Sequence, residues 1–157
     1  SGTIFLQVRE AAKVLANDYG INVDVLSAPS FNELARDGQD ADRYNLLHPD
    51  TKQPKAAYIS KLLAKDVATV VATDYMRSYA EQIRAFVPGP YRVLGTDGFG
   101  RSDSRANLRA HFEVDYRYVV VAALYELAQQ GQVERKLVGE AIAKFAIPAD
   151  KINPLFA

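Results

Sequence analysis

Ser102 is the side chain whose surroundings come nearest to a catalytic motif, because it lies in the run Gly-Arg-Ser-Asp-Ser at residues 100–104. The serine nucleophile of many hydrolases stands in Gly-x-Ser-x-Gly, on a sharp turn from a strand into a helix. Here Ser104 replaces the second glycine, and the general base would have to be His48 or His111. Two histidines and several aspartates allow a triad on paper in almost any chain. We therefore favour a role for Ser102 and Ser104 as caps of the turn or helix that follows.

The glycines at positions 98 and 100 imitate the phosphate-binding loop of dinucleotide enzymes. In the motif Gly-x-Gly-x-x-Gly the third glycine would fall at Asp103, whose carboxylate would repel a pyrophosphate. A metal site is also unsupported, because the chain has no cysteine and only two histidines, and residues 37–40 lack the spacing of a calcium-binding loop. Both histidines are expected to be hydrogen-bonded structural or interface residues. We assign no catalytic, cofactor-binding or metal-binding residue.

A shaped protein surface is what the composition of this segment favours instead. Residues 91–105 are predicted to run from a short strand into a loop with three glycines, whose backbone can approach another surface closely. Charged side chains of both signs can pair there, with each other or with a neighbour, and hold the loop in one geometry. We predict an ordered interface loop formed by Asp97, Gly98, Phe99, Gly100, Arg101, Ser102, Asp103 and Arg105.

The bulk composition restricts the partners and the compartment. Lysine plus arginine and aspartate plus glutamate both number 19, so the net charge is zero, which argues against nucleic acid or an anionic membrane as the main partner. The chain has no apolar run of about 18 residues that would span a membrane. The absence of cysteine excludes disulfides and fits a reducing compartment. We expect residues 1–157 to form one domain, a fragment of a much longer chain, since no initiator methionine is present.

Three segments are predicted to be strands and to build the sheet that carries the loop. Residues 21–26 alternate apolar and polar side chains, as a half-buried strand does. Residues 67–72 are apolar on both faces, which is typical of a central parallel strand, and residues 91–95 form the next short strand. Because strands and helices alternate, the sequence predicts an α/β domain with a mostly parallel sheet.

Helices are predicted around these strands from apolar spacing and capping residues. A first helix over residues 8–19 should stop at Gly20. The stretch from 31 to 49 should hold two short helices separated by a turn at residues 37–38. The remaining helices are expected at residues 56–64, at 76–87 with Thr73 or Asp74 as the cap, from a cap at Asp115 to about Gln130, and at 133–145.

Several runs of residues carry a resemblance to a known family. They are Phe-Asn-Glu-Leu-Ala-Arg-Asp-Gly-Gln-Asp at 31–40, Leu-His-Pro at 47–49, Ala-Thr-Asp-Tyr-Met at 72–76, the loop segment 91–105, His-Phe-Glu-Val-Asp at 111–115, Ala-Lys-Phe at 143–145 and Asn-Pro at 153–154. Together they resemble the C-terminal domain of the transketolase-like thiamine diphosphate enzymes, in particular the homodimeric bacterial pyruvate dehydrogenase E1 type. The core Asp-Gly-Phe-Gly-x-Ser is shared across that superfamily, whereas the run at 31–40 is specific to the E1 type.

The resemblance implies a three-layer sheet flanked by helices and a place in a larger enzyme. That enzyme decarboxylates pyruvate on thiamine diphosphate and Mg²⁺ and reductively acetylates a lipoyl group of the E2 acetyltransferase. The implied partners are the remainder of the E1 chain, its homodimer mate and E2, and the implied compartment is the cytoplasm. The family's cofactor motif is Gly-Asp-Gly followed downstream by Asn-Asn, and residues 96–98, Thr-Asp-Gly, lack its first glycine. This chain alone is therefore expected to be inactive and to bind neither cofactor nor metal.

The resemblance also predicts a function for the domain and a gap in its sheet. The third domain of the family is structural and contacts the dimer mate; a stand-alone α/β binding or interaction module is the alternative.

A hydrophobic strand of the family precedes the turn matched by residues 1–3 and lies between the strands at 21–26 and 67–72. We therefore expect those two strands to be parallel and about 10 Å apart, twice the usual spacing of neighbouring strands. The slot should be filled by residues before Ser1 or by another segment.

Overall fold

The computed structural model describes residues 2–157 of the chain. Within them, two strands separated by a helix stand between two groups of consecutive helices, in agreement with the predicted α/β class. The helices are α1 (Phe5–Tyr19), α2 (Phe31–Leu47), α3 (Tyr58–Leu62), α4 (Arg77–Glu81), α5 (Arg105–His111), α6 (Tyr116–Gln129) and α7 (Arg135–Lys144), and the strands are β1 (Thr69–Ala72) and β2 (Tyr91–Leu94). Single 3-10 turns cover Gly2–Ile4, Arg84–Phe86 and Pro154–Phe156.

The two strands pair in parallel, with Thr69 opposite Tyr91 and Ala72 opposite Leu94. This pairing confirms the predicted parallel sheet and the strand predictions at 67–72 and 91–95, each shorter by one or two residues. A parallel connection needs a long crossover, and α4 with the turn that follows it supplies one.

The predicted strand at residues 21–26 is wrong. These residues form no regular secondary structure, and the side chains of Val23 and Leu26 are 41% and 54% exposed. A strand is held by the hydrogen bonds it makes to a neighbour, and in the described part of the chain β1 and β2 pair only with each other. Because residues 21–26 form no strand, there is no second strand to which the predicted spacing of about 10 Å would apply, and the strand order behind it stays a prediction.

Helices cover both faces of the small sheet and create three layers. Val70, Ala72 and Leu94 pack with α1, α6 and α7 in one apolar cluster. Val71 and Val93 point to the opposite face, where they pack with α2, α3 and α4 in a second cluster. Side chains of successive strand residues alternate between the two faces, so each four-residue strand contributes to both cores.

The helices with strong local signals form where the sequence predicts them. Gly20 ends α1 with a left-handed backbone at φ 66°, and its N–H donates to the carbonyl oxygens of Leu15 and Ala16. Asp115 caps α6, since its carboxylate accepts the backbone N–H groups of Arg117 and Tyr118 at 2.9 and 3.4 Å. The last helix, α7, ends before residue 148 as predicted.

The predicted turn at residues 37–38 is wrong, because α2 continues through Gly38 as one helix of 17 residues. A glycine inside a helix costs about 1 kcal/mol relative to alanine. The compensation is close packing: a β-carbon at position 38 would overlap the ring of Phe86. The same face of the helix buries Phe31, Ala35 and Ala41, whose burial outweighs the local cost of the glycine.

The predicted helix at 76–87 is also broken, into α4 and the 3-10 turn Arg84–Phe86. Neither predicted cap serves α4: its N-cap residue is Met76, which makes no side-chain bond. Thr73 instead accepts the N–H of Tyr75 at 3.2 Å, and the Asp74 carboxylate accepts the N–H of Thr3 at 3.4 Å. Both side chains are therefore committed to holding the end of β1.

The N-terminal helix closes onto the C-terminal half of the chain. Helix α1 packs along α6, and Ala11 and Leu15 on its inner face are buried. The side-chain oxygen of Gln7 accepts the N–H of Tyr116 at 3.0 Å, across a sequence separation of 109 residues. Among residues 2–157, no helix is both long enough and apolar enough to cross a lipid bilayer.

Candidate functional site

The candidate interface loop, residues 97–105, leaves the carboxyl end of β2 and leads into α5. The residues that lead into the loop are held against the segment that follows β1. A β-carbon at Gly95 would lie 2.7 Å from the backbone of Tyr75 and Arg77, so only glycine fits there. The N–H of Thr96 donates to the Tyr75 carbonyl at 2.9 Å, and its hydroxyl donates to the Asp74 carbonyl at 2.9 Å. The loop therefore starts from a rigid base.

Asp97 is the charge of the loop that forms an ion pair within the described residues. Its carboxylate accepts the backbone N–H of Arg77 at 3.1 Å and the side-chain Nε–H of the same residue at 2.8 Å. The Asp97 side chain is 20% exposed and that of Arg77 is 43% exposed. A charge-assisted pair that also satisfies a backbone donor fixes the position of the loop relative to α4.

Gly98 holds the loop against the C-terminal turn. Its backbone has φ 117°, a conformation that side-chain-bearing residues rarely adopt. A β-carbon there would lie 2.9 Å from the carbonyl carbon of Pro154 and closer still to its oxygen. Pro154 is itself buried and begins the turn Pro154–Phe156. The geometry of this contact requires a glycine.

The tip of the loop is exposed. The side chain of Phe99 is 78% exposed, and a β-carbon at Gly100 would meet no atom within 4 Å. Arg101 and Ser102 are exposed as well. An exposed aromatic side chain on an anchored backbone is a feature that interfaces use.

Asp103 and Ser104 join the loop to α5. The Ser104 hydroxyl accepts the N–H of Asn107 at 3.3 Å, which confirms the predicted cap at this serine; Ser102 makes no such bond. The Asp103 carboxylate accepts the Asn107 side-chain N–H at 2.8 Å and the Ser104 N–H at 2.6 Å. These hydrogen bonds, with a smaller contribution from Arg101, lower the pKa of Asp103 below its ordinary value.

An open groove of about 390 Å³ lies between the loop, α5 and the N-terminal turn. Three arginines line it, Arg101, Arg105 and Arg109. None of their guanidinium groups has a carboxylate within 4 Å among the residues that the structure describes. Of the predicted pairing between loop charges, only Asp97 forms an ion pair, and its partner is the neighbouring Arg77.

The residues of the hydrolase alternative are not brought together. His48 stacks on Tyr44 with ring centroids 4.2 Å apart, and its Nδ1 lies 2.8 Å from the Tyr44 carbonyl oxygen. His111 packs edge-on against Phe112. Burial, then the charges of Arg101 and Lys151, lower the pKa of His111. Ser102 forms no hydrogen bond to either histidine in the described residues.

Two residues that hold the loop and one that lines the groove escaped the sequence analysis. Arg77 and Pro154 lie 20 and more residues from the loop in sequence, and nothing local marks them as its contacts. Arg109 could have been found, because Arg105 and Arg109 stand four residues apart and therefore share one face of a helix. Within residues 2–157 the structure contains no group of three or more His, Cys, Asp or Glu side chains that could hold a metal ion.

Comparison with known proteins connects this geometry to a family. Residues 1–115 match the family described as transketolase-like TK C-terminal domain. The match spans the small sheet, the loop and the cap of α6.

Individual relatives extend the similarity over the entire chain. It is 64% identical over 158 aligned residues to the pyruvate dehydrogenase E1 component of Haemophilus influenzae and 60% identical to that of Escherichia coli strain K12, covering 100% of this chain in both cases. The protein of the same name from Pseudomonas aeruginosa is 58% identical over 157 residues, 99% of the chain. The chain spans only 18% of the length of each of these relatives.

Proposed function

Because this chain belongs to the family of transketolase-like C-terminal domains, we propose that it is the C-terminal structural and dimer-contacting domain of a pyruvate dehydrogenase E1 component. The observation that carries this proposal is the similarity along the entire chain, at 64% identity, to a protein of that name. The whole enzyme would decarboxylate pyruvate on thiamine diphosphate with Mg²⁺, and reductively acetylate a lipoyl group of the E2 acetyltransferase. It would do so in the cytoplasm.

The described residues do not fit the cofactor, so no step of the reaction is assigned to them. A Mg²⁺ ion requires oxygen ligands in octahedral geometry, and no cluster of carboxylates among residues 2–157 offers them. The carboxylate in the nearest match to the cofactor motif, Asp97, is bonded to Arg77. The cofactor would be held by other parts of the longer protein.

The loop at residues 97–105 is the surface that we propose for the dimer contact. Three anchors fix its first half: the bonds of Thr96, the pair of Asp97 with Arg77, and the contact of Gly98 with Pro154. A backbone that is already ordered loses little entropy when a partner binds. The exposed ring of Phe99 would then provide apolar area to the mate.

The enzymatic part of the proposal is tested with the complete natural protein. Purified protein supplied with thiamine diphosphate and Mg²⁺ should reduce ferricyanide when pyruvate is added, and omission of the cofactor should abolish the signal. A protein that binds the cofactor yet decarboxylates no pyruvate would refute the assignment.

The dimer contact is tested separately by sedimentation equilibrium. Truncation of an aromatic anchor at an interface centre typically costs 1–2 kcal/mol or more, so Phe99→Ala should weaken the dimer about tenfold or more. Leu46→Ala is the matched control, because Leu46 is 77% exposed, close to the 78% of Phe99, and belongs to the last turn of α2, not to the loop. Equal dimer constants for the two variants would contradict the contact while leaving the enzymatic assignment intact.

A further inference from the structure

We propose that the groove between the loop and α5 binds a small organic oxyanion, a phosphate or carboxylate group carried on an apolar body. Arg101, Arg105 and Arg109 would hold the oxyanion, and the apolar side chains beneath them would contact the body. The groove goes beyond the proposed dimer and cofactor roles, although Arg101 and Arg105 also belong to the loop that we propose for the dimer contact, so a ligand here would lie beside the mate.

The arrangement of the arginines is the first observation. Arg105 and Arg109 lie one helical turn apart on α5, and Arg101 approaches the same groove from the loop. Three like charges around one groove repel each other, and within the described residues none has a carboxylate within 4 Å; only Arg101 has a weaker, longer-range attraction, to Asp103. Guanidinium groups bind phosphate and carboxylate in a bidentate manner, so an oxyanion is the ligand that satisfies them.

The acidic side chains near the groove are already engaged. Asp74, the one carboxylate among the described lining residues, accepts the N–H of Thr3 at 3.4 Å, and its single negative charge stands against the three positive charges of the arginines. Asp103 is held by Ser104 and Asn107 and is attracted to Arg101, but it does not line the groove. The lining therefore carries a net positive charge, which favours anions over cations or neutral molecules.

The floor of the groove indicates that the ligand also carries an apolar body. It is formed by apolar side chains, Ile4, Leu108, Phe112 and Val114. Its volume of about 390 Å³ lies within the range of small-molecule sites, which are mostly apolar with a few convergent polar groups. An inorganic ion would leave these apolar side chains in contact with water, so an oxyanion with a compact apolar body fits better.

Calorimetry on the complete natural protein tests the ligand class, with phenyl phosphate and inorganic phosphate as the probes. Burial of the ring should make phenyl phosphate bind about tenfold more tightly than inorganic phosphate. Arg105→Ala and Arg109→Ala should each weaken phenyl phosphate about tenfold or more. Arg135→Ala is the control, because Arg135 is an exposed arginine on α7 with no ion pair in the described structure, and it should change nothing. Equal binding of the two probes, or an equal loss in the control, would overturn the proposal.

A residue-resolved measurement on the unsubstituted protein removes the dependence on folding of the variants. Phenylglyoxal modifies accessible arginines, and peptide mass spectrometry locates each modified position. Phenyl phosphate should slow modification of Arg101, Arg105 and Arg109 several-fold and leave Arg135 unaffected. Because positions are read individually, a phosphate bound at a cofactor site elsewhere does not imitate this result. Uniform protection, no protection, or groove arginines that are unreactive without the probe would each refute the site, whatever the enzyme assay shows.

Discussion

Replacement of Gly98 should destabilise the protein more than any other single change in the loop. A side chain at φ 117° costs about 1–3 kcal/mol in backbone strain. The β-carbon would also overlap the Pro154 carbonyl group, and overpacking of this kind costs a further 1–3 kcal/mol. The expected loss for Gly98→Ala is therefore about 2–6 kcal/mol, and Gly98→Val should be at the upper end. For a domain of this size each kcal/mol lowers the melting temperature by about 2–4 °C.

Thermal unfolding followed by circular dichroism measures this loss against a matched control in the same loop. Gly100→Ala adds the same methyl group where it meets no atom within 4 Å, so it should remain within about 0.5 kcal/mol of the parent. Ser102→Ala should be equally mild, since this side chain is exposed. If Gly98→Ala melts within about 2 °C of Gly100→Ala, the close contact with the C-terminal turn does not hold the loop, and the reasoning fails.

Four further predictions concern charge, capping, pH and cofactor. Arg92→Met should lower the free energy of unfolding in urea by about 1–3 kcal/mol, because the carboxylate of Glu126, which is 9% exposed, loses its guanidinium partner. A loss no larger than that from removing an exposed ion pair would contradict this. Ser104→Ala should cost about 1 kcal/mol through loss of the α5 cap, whereas Ser102→Ala should cost nearly nothing in the same assay. Burial raises the pKa of the Tyr91 hydroxyl above its ordinary value of 10.0. The free energy of unfolding should therefore be unaffected below about pH 10 and fall as the pH rises further. Tyr91→Phe should reduce the loss of stability between about pH 9 and pH 11, measured as the shift of the urea midpoint. The isolated 157-residue chain should bind no thiamine diphosphate, and calorimetry that shows tight, Mg²⁺-dependent binding would contradict the division of roles.

Elements whose signals are local could be predicted from the sequence. Helix α6 has its cap at Asp115 and an apolar run behind it, and α1 has Gly20 at its end. Such signals act within one or two turns, so they hold in nearly any tertiary context. The same reasoning identified Ser104 as a cap.

Elements decided by distant contacts could not be predicted in this way. Gly38 reads as a turn, but the ring of Phe86 packs against it and keeps the helix continuous. Residues 21–26 read as a strand, but alternation alone does not supply the neighbour whose hydrogen bonds a strand requires. In both cases a contact far along the chain, present or absent, determined the outcome.

Within the loop, some features could be predicted from local sequence signals and others depend on distant contacts. Its glycines predicted a close approach of the backbone, but not that the surface approached at Gly98 would be Pro154, 56 positions along the chain. The predicted charge pairing was found at Asp97, with a partner on α4. The spacing of Arg105 and Arg109 could have been read from the sequence, but only the structure shows that Arg101 lines the same groove and that no carboxylate among the described residues lies within 4 Å of the three.

The packing of α1 along α6 has a consequence for how the protein is made. The ribosome releases the chain from its N-terminal end, at about 5–20 residues per second. Because Gln7 and Tyr116 are 109 residues apart, the first helix emerges roughly 5–20 s before its packing partner exists. During that interval Ala11 and Leu15 on the apolar face of α1, and Ile4 in the turn before it, have no native surface to cover them. Newborn chains should therefore engage chaperones early, and stalling translation before α6 should yield an aggregation-prone or protease-sensitive product.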